Sequence, residues 1–123
     1  MLGSFAERYQ LSKEHAIRLG CAFGGGMGRT GQMCGAITGA LMVLGLAHGG
    51  TAADPAAREK TYAVTRELWS RFQGRHGSLV CRELLGVDIG TAEGREAAIL
   101  RGLFKIRCQV FVKDAAEIAA QLV

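Results

Sequence analysis

The chain has 123 residues, 49% of them apolar, with 15 lysines and arginines against 11 acids and a pI of about 9.1. That length suits one domain around one core, and the apolar content excludes a disordered chain. The net charge of +4 is scattered, its densest group being Arg101, Lys105 and Arg107, and no basic run is interleaved with aromatics, so nucleic-acid binding is not expected.

Leu2, Phe5, Ala6 and Tyr9 fall at helical spacing, with nothing ahead of Leu2 to cap them. The helix is therefore expected to start upstream of the present first residue. Ser12 is a suitable cap for a second helix running through Ala16, Ile17, Gly20 and Cys21, which the glycine run from Gly24 ends. Met33 to Ala47 then carries no charge and a single hydroxyl, Thr38. It falls short of the about 18 residues that a bilayer helix needs. Its Gly35-x-x-x-Gly39 spacing lets a neighbour pack closely, so a buried central helix is expected over about 33–47.

Asp54-Pro55 combines a cap with proline at the first helical position. The helix it starts presents Tyr62, Thr65, Trp69 and Phe72 as one stripe, with Val64 and Leu68 beside it, and Gly74 and Gly77 are expected to end it. Ser78 should cap a short helix carrying Cys81, Leu84 and Leu85, stopped at Gly86. Thr91 should cap another through Glu96 to Leu100. In the last helix Phe104, Cys108, Phe111, Ala115, Ile118 and Leu122 step alternately by four and three residues, one continuous seam. No segment alternates with period two. The expected fold is a single all-α domain over 1–123, an irregular helical bundle around the glycine-rich central helix.

The sulfur atoms carry the chemistry. The cysteines are Cys21, Cys34, Cys81 and Cys108, none in a Cys-x-x-Cys pair, so thioredoxin and zinc-ribbon spacings are absent. No basic-then-apolar leader is visible, and a cytoplasmic, thiol-preserving compartment is the default expectation. Cys34 and Cys81 are both placed in first helical turns, where unpaired amides and the helix dipole favour a thiolate. Arg29 and Arg82 lie close in sequence and would favour it further. Cys108 faces inward on the last seam, so folding would bring three sulfurs to one site. Cysteine also packs as a small hydrophobe, and that plainer use stands beside the functional one.

The other motifs are set aside. Gly26-Met27-Gly28-Arg29-Thr30-Gly31 matches G-x-G-x-x-G but lacks the strand that a dinucleotide site requires. His15, His48 and His76 are read as surface or capping residues, although His76 stands near enough to Cys81 in sequence to join a metal site.

Gly24-Gly25-Gly26-Met27-Gly28-Arg29 followed by Cys34-Gly35-Ala36-Ile37-Thr38-Gly39, then Cys81-Arg82-Glu83-Leu84-Leu85-Gly86 and a later Cys108, resembles the small prokaryotic C_GCAxxG_C_C family of redox-active proteins. The resemblance covers nearly the whole chain. It implies roles for Cys34, Cys81 and Cys108, and places the family's remaining cysteine just ahead of Met1. Cys21 stands where the family pattern more often has alanine. Three readings follow. In the first, Cys34, Cys81 and Cys108 perform thiol–disulfide exchange or electron transfer with a redox partner. In the second, the same three cysteines and one further ligand hold zinc or an iron–sulfur cluster. In the third, the chain is a helical interaction module whose cysteines merely pack. A homodimer suits the glycine-rich bundle; no membrane association is expected.

Overall fold

The computed structural model describes residues 1–123 and is all-α. The first turn, α1 (Leu2–Phe5), passes into a 3-10 turn over Ala6–Tyr9 that stops at Gln10 in the left-handed region. Helix α2 (Lys13–Gly20) is capped by Ser12, whose hydroxyl accepts from the His15 amide at 3.1 Å. These two segments bury Leu2, Ala6 and Ala16 with Val43 in a small satellite cluster. Ile17, expected on the inner stripe of α2, is 62% exposed. Ala16 is the residue of α2 that is buried, and Ile17, next along the helix, turns outward.

Three helices build the main core: α3 (Gly35–His48), α4 (Pro55–His76) and, at the end of the chain, α7 (Gln109–Leu122). Asp54 caps α4 as expected, its Oδ1 accepting from Ala56 at 3.0 Å and Ala57 at 3.1 Å. The helix runs through Gly74 to His76 and is closed by Gly77, whose φ of +80° is one an L side chain rarely adopts. Its buried stripe is Val64, Leu68 and Phe72; Tyr62 and Trp69 are 51% and 40% exposed. The sequence reading put the seam on the wrong side of the aromatics, because Phe72 belongs to both stripes and bulk favoured the exposed one. On α3 the buried residues run from Ala36 to Ala40 and then Val43 and Leu44, while Leu46 is exposed. On α7 they are Phe111, Ala115, Ile118 and Ala119.

Polar contacts close the bundle ends. His48 Nε2 donates to the Leu122 carbonyl at 2.5 Å, joining the C-terminal ends of α3 and α7. His76 Nε2 meets Asp114 Oδ2 at 2.7 Å, with its ring packed between Phe72 and Phe111. His76 is thus part of the α4–α7 interface, not a ligand of the cysteine region.

The short helices α5 (Cys81–Leu85) and α6 (Ala92–Leu100) cover one end. Thr91 caps α6 through the Gly94 amide at 2.9 Å. Ser78 does not cap α5: its hydroxyl accepts from Val80 at 3.0 Å and donates to Glu83, and Val80 takes the cap position. Between α6 and α7 a π turn over Phe104–Cys108 interrupts the expected continuous seam and leaves Phe104 38% exposed. No helix is long and apolar enough to cross a membrane.

Candidate functional site, a cavity lined by three thiols

Two loops that lie far apart in sequence are laced together by their backbones. The Cys34 amide donates to the Leu79 carbonyl at 2.8 Å, the Cys81 amide to Gln32 at 2.6 Å and the Arg82 amide to Gly31 at 3.1 Å. Met33 and Val80 form the single antiparallel bridge at the centre of this lacing. It aligns the starts of α3 and α5, so that Cys34 is the N-cap of α3 and Cys81 the first residue of α5. Both cysteines therefore lie at helix starts, each shifted from the cap expected of it.

The segment before Gln32 makes this lacing possible. Gly25, Gly26, Met27, Gly28 and Arg29 all have φ between +62° and +70°, a left-handed turn closed by the Gly28 amide on the Gly24 carbonyl at 2.9 Å. Consecutive left-handed residues are affordable only where most lack a Cβ. At Gly26 there is no room for one: a Cβ would stand 2.6 Å from Cys81 Cβ and 2.8 Å from the Gln32 nitrogen. The glycine run is a packing device that lets the Cys81 side chain approach the turn, and no strand precedes it.

Cys34, Cys81 and Cys108 line one cavity of about 290 Å³, together with Gly26, Leu85 and Phe104. Cys108 reaches it from the end of the π turn, a distortion often found at functional sites. Cys81 is buried and the other two half-buried. All three are free thiols. They share the cavity without closing into a tight cluster: no group of three His, Cys, Asp or Glu side chains stands close enough together to hold a metal ion. Cys21 is exposed and lies outside this cavity.

The electrostatics differ from the sequence expectation. Burial pushes the Cys34 thiol up, against a smaller opposing pull from the Ala36 and Ile37 amides. Those amides face the sulfur without making a full capping hydrogen bond. Cys81 is pushed up to about 11, by burial first and then by the negative charge that Cys34, Cys108 and Asp88 would set beside its thiolate. Cys108 is raised by burial and by Cys34, with Arg107 opposing. Neither Arg29 nor Arg82 contributes. Helix position alone therefore does not make these thiols acidic; desolvation wins.

A roomier depression of about 540 Å³ along the outer face of α4, near Trp69 and Gln73, contains no cysteine, histidine or acid.

A helical domain with a glycine turn folded against a thiol-lined cavity defines a cysteine-centred all-α class. The model of the C_GCAxxG_C_C family, described as "Putative redox-active protein (C_GCAxxG_C_C)", matches residues 1–122, and the chain belongs to that family. No curated protein and no solved structure is significantly similar to it.

Proposed function

We propose that this protein is a thiol–disulfide redox protein whose reactive centre is formed by Cys34, Cys81 and Cys108. The observation that carries the reading is that all three thiols face one cavity, where the charge of Cys34 would raise both other thiols and that of Cys108 would raise Cys81. Cys34 is assigned the attacking role because two backbone amides face its sulfur. Its thiolate attacks one sulfur of a partner disulfide, the partner S–S bond breaks, and the departing thiolate takes up a proton. Cys81 or Cys108 then loses its proton and attacks Cys34 Sγ, forming a protein disulfide and releasing the second partner thiol. Two electrons pass from the two protein thiols to the partner, and an external dithiol returns them.

Protonated thiols are slow nucleophiles, so exchange is slow at neutral pH and accelerates as pH rises. A cytoplasmic, reducing compartment suits a resting state with every thiol free. The spacing of the donors lends no support to a zinc or iron–sulfur reading. The test is to oxidise the reduced protein with a stoichiometric small disulfide and map the products by mass spectrometry. The expected product joins Cys34 to Cys81 or to Cys108 and leaves Cys21 outside the bond. Three thiols that remain fully alkylatable after oxidant treatment would overturn the reading.

A further inference from the structure

Beside the thiol cavity lies a second, open one of about 540 Å³, lined by Cys21, Gly28, Arg29 and Arg95 among others. The two share four lining residues: Gly24, Gly25, Ile89 and Phe104. They are neighbouring chambers with a common wall. The inner one is mostly apolar and holds the sulfurs. The outer one holds two guanidiniums, and neither Arg29 nor Arg95 makes a salt bridge; the ion pairs of this protein involve Arg71, Arg75 and His76 instead. Asp88, the nearest acid along the loop to Gly90, has its Oδ1 engaged by the Gly90 amide at 2.9 Å.

Arg29 is fixed at this wall by the backbone. It ends the left-handed turn with φ of +67°, and its stem folds over Gly25: a Cβ built there would lie 2.9 Å from Arg29 Cγ. A non-glycine residue held in that conformation is strained, and such strain gathers at functional sites. Arg95 approaches from α6, half-buried. Two arginines without salt bridges in a chamber adjoining an uncharged sulfur chamber favour one class of visitor, a small molecule with carboxylates at its ends and a sulfur electrophile between them.

We propose that the two chambers form one substrate site for low-molecular-weight disulfides bearing carboxylate groups, with Arg29 and Arg95 holding a carboxylate in the outer chamber while the disulfide sulfur enters the inner one. This rests on the thiol–disulfide reading above and narrows it to a substrate class. The exchange is the one already written: the substrate S–S bond breaks, a bond to a protein sulfur forms, and the leaving thiolate carries its carboxylate out past the arginines.

The experiment compares dithiodipropionate, neutral 2-hydroxyethyl disulfide and cationic cystamine as oxidants of the full chain. Each rate is divided by that of an unhindered model thiol, to remove intrinsic reactivity. The corrected rate for the dicarboxylate should exceed that of the neutral disulfide by about tenfold at low salt, with cystamine slowest, and the advantage should shrink as salt is added. In an Arg29→Gly, Arg95→Gln variant the dicarboxylate-to-neutral ratio should fall to about one. Arg29→Gly relieves the left-handed strain, so that change does not endanger the fold. A ratio near one in the unaltered protein, or a preference that survives loss of both arginines, would overturn the proposal while leaving the thiol reading intact. If the thiol reading itself is wrong, none of the three disulfides will form a bond to Cys34, Cys81 or Cys108.

Discussion

The three-helix core and the cysteine end of this molecule are built by different means. Helices α3, α4 and α7 bury regular stripes such as Val64, Leu68 and Phe72, and local hydrogen bonds carry their backbones. The cysteine end has a left-handed turn, one isolated bridge, a five-residue helix and a π turn. There, position comes from backbone-to-backbone lacing and from the absence of side chains at Gly25 and Gly26. The core supplies the stability that holds an irregular end in place, and the irregular end holds the three thiols to which the proposed chemistry is assigned.

The sharpest way to break this division is to weaken each side separately. Phe72→Ala removes a fully buried ring that packs against Phe111 and His76. It should cost about 3–5 kcal/mol, read as a fall in the urea midpoint. In the population that stays folded, the alkylation rates of Cys34, Cys81 and Cys108 should be unchanged. If those rates rise sharply under native conditions, the core and the thiol cavity are one unit.

Gly26→Ala attacks the other side. The added methyl meets Cys81 Cβ and the Gln32 nitrogen, and the backbone must hold φ of +67° with a Cβ present. The combined overpacking and left-handed strain should cost about 2–4 kcal/mol. Here the effect on the site should outrun the effect on the fold. The Gln32–Cys81 lacing opens, hydrogen exchange at the Cys81 and Arg82 amides accelerates, and oxidation no longer joins Cys34 to Cys81. Retained cross-linking with an unchanged exchange pattern would count against the turn as the device that positions Cys81.

The same division explains what could be read from the chain. Ser12, Asp54 and Thr91 were legible as caps because the oxygen and the amide it satisfies lie within three residues of one another. Ser78 misled, since the amide its hydroxyl satisfies, that of Val80, lies one residue before the helix that forms, and Val80 takes the cap. Cys34, Cys81 and Cys108 stand out in the sequence by first-turn position, seam position and family resemblance, and the fold brings all three to one cavity. Their acidity was not, because desolvation depends on the cavity and no local pattern reports it. The Met33–Val80 bridge joins residues too distant for any periodicity to register. The left-handed turn did leave a signal: five glycines between Gly24 and Gly31 form the kind of composition in which consecutive positive φ values cost little. The outer arginine chamber had none, since Arg29 and Arg95 meet only through the fold of α6 onto the turn.

The smallest effect is expected from pH, and its sign separates the two regions cleanly. Burial raises all three cavity thiols, Cys81 to about 11, so the folded state keeps protons that the unfolded chain gives up near the ordinary value of 9. The stabilisation from neutral thiols is fully present below about pH 9 and is lost as pH climbs toward about 11. Solvent screening at the half-buried Cys34 and Cys108 keeps their share modest. Tyrosines and lysines titrate in the same window, so the informative quantity is a difference: the urea midpoint of the native chain minus that of a Cys34→Ala, Cys81→Ala, Cys108→Ala variant, followed from pH 8 to about 11. That difference should decline as pH rises, because only the native chain has raised thiols to lose. A flat difference would mean that the thiols are as well solvated folded as unfolded, and an increase with pH would mean that the helix starts stabilise thiolates after all, in spite of the apolar cavity around them.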